Sequence, residues 1–528
     1  MLDRAAQQVE HYMKFFKGMK RSSLVIILLI IILAFLLGSR MILAGDFYFL
    51  YDQARDLMLV KSIGIDHKIT LIGSRSGIGG FFHGPLYLYL LLPIFFFGKG
   101  DPFVFTTFYI AIGIATVLAG FVVGKKLYND WVGILVAFFL AISPRVWGYV
   151  NATQGINLIP LVYLGLFYSL VLYFRGNRKM FLWAVLFTGI TFQFETATSL
   201  ILVPIIGLLY FLLPGAYKQW KLMIGSICVF GLSMSTFLLF DIRHQFLMTK
   251  SAISYIRYGE KGEGYLPFFQ RFGSHFNSLL GTYKSVLIEN TLLLQALLLL
   301  IIVVALITII RDKIKSQLKK ELLLFGLFPI VTFAFLLLYP RSVFQEYVLG
   351  LTIPVAFFIS ICLSLIWKKQ SGKILGGIFI LLLLIGSFQL LYLQYTSAYK
   401  NTTAGSYKNQ KAVVDWIFKD AGERKFGYFV YTPEVFTSGM DYLFWWEGTE
   451  IYNNPPINVK QEITYLVMYP PLRYDKGAHE YWKKNVIRTR GKVVTTKSFT
   501  GKIIVQKLQI PPDDPPPDPN YYQNLIFR

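Results

Sequence analysis

Charge is scarce in this 528-residue chain: 15% of its residues carry it, where a soluble domain has roughly 25%. Acids are the scarcer kind, with 29 Asp+Glu against 52 Lys+Arg. Cysteine is nearly missing. Cys228 and Cys362 each sit in an apolar run, which excludes a disulfide framework and a thiolate metal site. There is no Walker loop, which speaks against direct use of ATP, and no HExxH or paired-Cys pattern. The six His are scattered, and no internal repeat of the transporter kind is visible. What the chain has in quantity is hydrophobicity: 55% of residues, 17% aromatic, with a mean hydropathy of +0.52. Such a chain is neither disordered nor collagenous. Its net charge of +23 points to membrane topology before it points to nucleic acid, because Lys and Arg collect on the cytoplasmic side of spans.

A spanning helix needs about 20 mostly apolar residues. Such runs occur near 22–40, 103–124, 131–147, 156–174, 180–195, 199–213, 221–240, 289–310, 321–339, 347–367 and 374–395. A shorter aromatic run, 84–98, is either a short span or an interfacial helix. The basic clusters Lys125-Lys126, Arg175 to Lys179, Lys218 with Lys221, Arg311 to Lys320, and Lys368 to Lys373 all fall on the cytoplasmic side if 84–98 does not cross. The expected fold class is therefore mainly α: a polytopic membrane protein of about eleven spans plus juxtamembrane helices. The first run reads as a signal anchor, with the loop 41–83 outside. The expected domains are a membrane domain, 1–395, and a small extracytoplasmic α/β domain, 396–528. The second has an amphipathic stretch at 408–419, β-like runs at 426–431, 463–469, 492–498 and 502–509, and an extended Pro-rich segment, 511–519. Of the net charge, +18 lies on the membrane part and +5 on this tail.

The chemistry concentrates in the first outer loop. GDFYFLYDQARD, residues 45–56, places Asp46, Asp52 and Asp56 within eleven residues. Asp52 and Asp56 are four apart, so a helix puts them on one face. A Gly-rich link, 73–80, follows, then Phe81-Phe82-His83-Gly84-Pro85-Leu86-Tyr87. The plain reading of the acids is a wet loop, and of His83 a structural residue at a turn.

The early acid in YDQARD, followed about thirty residues later by the turn FHGPLYLYLL, resembles the GT-C glycosyltransferases. More narrowly, it resembles the group of protein O-mannosyltransferases and lipid A aminoarabinose transferases. The resemblance includes the SPR turn at 143–145 and LLFDIRHQF at 238–246. Here Asp52 is followed by Gln53 where the group often has a second acid, and His83 stands where it often has Lys. The resemblance implies an inverting transferase on the outer face of a bacterial plasma membrane. It takes a hexosyl or pentosyl group from a polyprenyl phosphate donor and gives it to a hydroxyl on a lipid, glycan or protein acceptor. It further implies Asp52 as the base, His83 at the donor phosphate, and Arg341 as a second phosphate residue. Arg is suited to that role by its bidentate fork.

Supporting roles go to Asp46, Asp56, Arg75, Glu195 and Arg243. Asp56 is expected to pair with Arg55 or Arg75. Glu195 reads either as a helix-end structural group or as a sugar contact, and Asp241 as a local partner of Arg243. No metal site is assigned, although the loop carboxylates offer oxygen ligands of the kind that hold a divalent metal ion in some relatives. No nucleic-acid partner is expected. The competing readings are a flippase or carrier for a lipid-linked sugar and a structural membrane subunit. The second leaves the acidic loop without a purpose.

Overall fold

The structure is a computed structural model. It describes residues 20–76, 80–150, 154–212, 219–258, 265–289, 291–312, 314–396, 403–433, 436–472, 475 and 477–519.

Each of the eleven long apolar runs is helical. In chain order the helices are α1 (Arg21–Leu43), α2 (Tyr51–Gly64), α3 (Leu86–Phe97), α4 (Pro102–Leu127), α5 (Asp130–Ile142), α6 (Pro144–Val150), α7 (Ile159–Phe174), α8 (Met180–Phe194), α9 (Thr196–Phe211), α10 (Trp220–Ser233) and α11 (Ser235–Arg243). There follow α12 (Leu247–Tyr258), α13 (Phe268–Tyr283), α14 (Leu292–Arg311), α15 (Ser316–Leu336), α16 (Thr352–Ile366) and α17 (Gln370–Tyr395). The C-terminal segment adds α18 (Tyr407–Ala421), α19 (Ser438–Glu450), α20 (Ala478–Tyr481) and the strands β1 (Gly427–Tyr431), β2 (Ile463–Met468), β3 (Lys492–Ser498) and β4 (Ile504–Gln509).

Among the described residues, six helical segments are long and apolar enough to cross a membrane, or seven if the α10–α11 pair, bent by 61°, counts as one. This is fewer than eleven because several apolar helices, such as α5 and α8, are shorter than a full bilayer crossing. The aromatic run after His83 forms α3, only 12 residues, about 18 Å at 1.5 Å per residue and well under a 30 Å hydrocarbon core.

The chain divides into two compact units. One comprises Met1–Ser39, Ile110–Val150 and Gly155–Thr396; the other comprises Arg40–Tyr109, Asn151–Gln154 and Ser397–Arg528. In the first, α16 is the hub. Most of its side chains are buried, and it packs against α5, α7, α14, α15 and α17. Small residues permit the close approaches: a Cβ on Gly133 would lie 2.6 Å from the Phe121 carbonyl oxygen. Arg175 closes a bidentate pair on the buried Glu321, at 2.8 and 3.0 Å, and also donates to the Leu127 carbonyl. That geometry gives the buried carboxylate the partner it requires.

Helix α13 is built inside out. Its polar residues His275 and Thr282 are buried, while Phe268, Phe269, Phe272, Phe276 and Leu280 are exposed. An apolar face turned outward in a membrane protein meets lipid. The polar face is held by His275 Nε2, which donates to the Arg341 carbonyl at 2.8 Å, and by Arg145, which donates to the Thr282 hydroxyl at 3.1 Å.

In the second unit the four strands lie in the order β1-β2-β4-β3, with β1–β2 parallel and the other pairs antiparallel. Phe429, Leu466, Met468, Trp482, Ile487 and Leu508 form a core on the sheet. The N-terminal loop belongs to this unit. Phe49 N–H donates to the Gly405 carbonyl, Gln410 Nε2 to the Phe49 carbonyl, Tyr442 Oη to the Gly100 carbonyl and Trp446 Nε1 to the Lys99 carbonyl. The Pro-rich segment holds no strand. It is tied down by Lys460 on Asp514 at 2.5 Å and Arg488 on Asp518 at 3.1 Å.

Between α18 and α19, Lys411 reaches Asp415 at 2.9 Å and the fully buried Glu447 at 3.4 Å. Burial, opposed by Lys411 and reinforced by Asp415, pushes the Glu447 carboxyl up to about 8. A carboxyl raised on folding stabilises the fold fully below its unfolded value of 4.5, and that contribution is lost as pH rises to about 8. The melting temperature of the purified protein should therefore fall by about 5 °C between pH 5 and pH 8. Glu447→Gln should flatten that slope. A slope equal to wild type in Glu447→Gln would assign the pH dependence elsewhere.

Candidate active site in the first loop

The acidic loop folds as the start of α2. Tyr51 begins the helix, so Asp52 sits in its first turn, where a negative charge is favoured by the helix dipole. Gln53 Oε1 accepts the Leu50 N–H at 3.0 Å and fixes that turn. The one-face expectation for Asp52 and Asp56 is met, with Arg55 between them. Arg55 Nη1 lies 2.8 Å from Asp52 Oδ1, and Arg55 Nε and Nη2 donate to Asp56 Oδ1 at 3.1 and 2.9 Å.

Exposure separates the two acids. The Asp52 side chain is 48% exposed, while those of Arg55 and Asp56 are 9% and 6% exposed. Burial raises the Asp56 carboxyl above its ordinary range, with the Arg55 charge pulling it back. Burial also works against the Arg55 charge, but the Asp56 and Asp52 carboxylates outweigh it and hold the guanidinium firmly protonated. Asp52 is thus the carboxylate with access to a ligand, and Asp56 is the buried anchor of the arginine.

His83 arrives by a short antiparallel pairing. Gly73 N–H donates to the His83 carbonyl at 2.8 Å, His83 N–H to the Ser74 carbonyl at 2.9 Å, and Ser76 N–H to the Phe81 carbonyl at 3.0 Å. Gly73 is needed there, since a Cβ would stand 2.5 Å from the Gly84 carbonyl oxygen. Ser74 also bonds to Asp56, which joins the pairing to α2. Burial, and then the nearby Arg55 charge, push the His83 imidazole down to about 4. It is therefore neutral near pH 7. Its buried Nδ1 has no hydrogen-bond partner among the described residues. A neutral ring offers a directed hydrogen bond in place of a charge, so the cation of this site is Arg55. From sequence alone Arg55 stands only as a partner for Asp56. The signal was the run Asp52-Gln53-Ala54-Arg55-Asp56 itself, which puts a guanidinium one and three residues from two acids.

The other candidates fall elsewhere. Asp46 is half-buried, its N–H bonded to the Met41 carbonyl, and Arg75 is exposed, in an isolated antiparallel bridge with Phe82. Asp56 takes Arg55, not Arg75, as its ion-pair partner. Glu195, Arg243 and Arg341 belong to the other unit. There Glu195 is buried and caps α9 by accepting the Ala197 N–H at 3.0 Å. Asp241 does not pair locally with Arg243. Its carboxylate caps the next helix through the Met248 N–H at 2.7 Å and the Thr249 hydroxyl at 2.5 Å, and Arg243 is exposed. Arg341 is half-buried beside His275. Among the described residues no group of three or more His, Cys, Asp or Glu is placed to hold a metal ion.

No family model matches the sequence, and no curated protein matches it. Solved structures do resemble the fold. ArnT from Cupriavidus metallidurans in the apo state aligns with a TM-score of 0.58 at 10% identity, over 92% of this chain and 97% of that one. The same protein bound to undecaprenyl phosphate aligns over the same shares with a TM-score of 0.54 at 9% identity. Archaeal oligosaccharyltransferase AglB from Archaeoglobus fulgidus, in complex with an inhibitory peptide and a dolichol-phosphate, matches 84% of this chain and 69% of its own at 10% identity, with a TM-score of 0.45. ArnT and AglB are GT-C superfamily members. The chain has the fold of ArnT.

Proposed function

We propose that the protein is an inverting glycosyltransferase that moves a hexosyl or pentosyl group from a polyprenyl phosphate donor to an acceptor hydroxyl on the outer face of a bacterial plasma membrane. The observation that carries this reading is the half-exposed Asp52 held by the buried Arg55–Asp56 pair, in a chain whose fold is that of ArnT, a protein solved with undecaprenyl phosphate. The loop that holds α2 lies outside in this reading, which the basic residues Lys20 and Arg21 at the start of α1 support, since Lys and Arg collect on the cytoplasmic side.

In the proposed reaction, Asp52 takes the proton of the acceptor hydroxyl as general base. The acceptor oxygen attacks the sugar C1 from the face opposite the phosphate, the C1–O bond to the phosphate breaks, and the electron pair leaves with polyprenyl phosphate. Arg55 orients Asp52 and supplies positive charge. Neutral His83 is assigned to the departing phosphate as a hydrogen-bonding group, and Asp46 and Arg75 to support.

One observation favours a second reading, a flippase for a lipid-linked sugar. The 61° break between α10 and α11 resembles the discontinuous spans that transporters use. Purified protein incubated with a panel of polyprenyl phosphate sugars and native membrane acceptors separates the two readings. The transferase releases polyprenyl phosphate from at least one donor. Transbilayer movement of the donors in proteoliposomes without any release would establish the carrier instead.

A further inference from the structure

The C-terminal segment buries most of its large aromatics, among them Tyr442, Phe444, Trp446, Phe426 and Trp482. Phe436, just before α19, is different: 40% of it is exposed. Its ring is stacked on Tyr51, with centroids 4.1 Å apart and planes 28° apart. The Arg55 guanidinium carbon lies 5.1 Å from the centroid of the same Tyr51 ring. That guanidinium holds Asp52 at 2.8 Å. A bare aromatic surface is therefore coupled, through two stacking contacts, to the arginine that orients the half-exposed carboxylate.

A lone exposed Phe needs no explanation. Core packing accounts for the Tyr51 contact here but leaves the rest of the ring in the open, beside the residue that precedes Asp52. Aromatic faces are electron-rich. A sugar ring matches such a surface, because one face is lined with weakly positive C–H groups and its edge carries hydroxyls. A carboxylate next to an aromatic face thus fits a molecule that offers a C–H face and a hydroxyl together. A Ser or Thr side chain offers the hydroxyl with one methylene or methyl group, too little to cover a phenyl ring.

We propose that Phe436, backed by Tyr51, is the platform for the acceptor, and that the acceptor hydroxyl belongs to a carbohydrate. The inference rests on the transferase reading and names the acceptor class of the same site. A hydroxylated peptide and a sugar-free lipid alcohol are the alternatives it denies.

The test uses the full-length protein, the donor found in the panel above, and two acceptor series: methyl hexosides and pentosides, and Ser/Thr peptides. Phe436→Ala should raise the KM for the glycoside acceptor about tenfold, a loss of roughly 1.4 kcal/mol, and lower kcat by less than about twofold. Phe436→Trp should restore the KM, which a merely structural role does not predict. Saturation-transfer NMR with the same glycosides reads contact without turnover, so it separates failure of the platform from failure of the transferase reading. Glycoside signals present in wild type and in Phe436→Trp but lost in Phe436→Ala support the platform. An unmoved acceptor KM in Phe436→Ala, equal losses in the Ala and Trp variants, peptides used as well as glycosides, or no glycoside signal in wild type would each overturn it.

Discussion

Asp52→Asn should lower kcat for sugar transfer by about three orders of magnitude, the middle-to-upper range for removal of a general base, while the protein stays folded. Both halves follow from where the carboxylate sits. Its side chain is 48% exposed, and ion pairs with that much solvent are worth about 0–1 kcal/mol. Asn keeps the size and a hydrogen-bonding oxygen for Arg55 but cannot take a proton from the acceptor. Arg55 also remains anchored by the buried Asp56. The check is single-turnover transfer by the variant beside its melting curve. A folded Asp52→Asn enzyme within a few-fold of wild type would remove Asp52 from the chemistry.

Arg55→Met should act on the opposite side of the ledger, through stability. It strips the cation from a carboxylate whose side chain is 6% exposed, and an uncompensated buried charge costs about 3–5 kcal/mol. Asp56 answers in part by protonation, to which burial already inclines it. The double variant Arg55→Met/Asp56→Leu should regain much of the loss, since replacing a buried ion pair by apolar groups of similar size is often neutral. Denaturant or thermal unfolding of the three purified proteins decides it. A single variant as stable as wild type, or a double variant no better than the single, would mean that the pair is not the internal partnership its geometry describes.

The parts of the fold that were legible from sequence are those set by local pattern. All eleven apolar runs are helical, and the expected strands 426–431, 463–469, 492–498 and 502–509 appear as β1 to β4 with ends shifted by a residue or two. Period and apolarity decide such elements. What could not be read was association over distance. Nothing in the composition of 41–83 shows that Phe47 stacks on Tyr407 with centroids 4.7 Å apart, or that Gly100 and Lys99 take hydrogen bonds from Tyr442 and Trp446. At the site, the i,i+4 spacing showed that Asp52 and Asp56 share one face, but not that Ser74 would reach back to hydrogen-bond Asp56. The neutrality of His83 likewise depends on burial among residues that no motif names. Asp241 illustrates a local error of the same origin. Only Ile242 separates it from Arg243 in sequence, yet the N-terminus of α12 presents N–H groups that lack helical partners and wins the carboxylate.

The shared construction of the second unit bears on how deletion experiments are read. The sequence breaks in character at 395, which invites a cut there to release the tail as a free-standing piece. That piece would lack the Phe49 backbone that pairs with Gly405 and Gln410, and the 99–100 turn that receives Tyr442 and Trp446. A membrane half made by the same cut would expose Phe47 and Phe49, both now fully enclosed. Loss of activity after tail removal would thus report a broken foundation under Asp52. The two fragments should instead be tested by co-expression, where reassembly restores what neither retains alone.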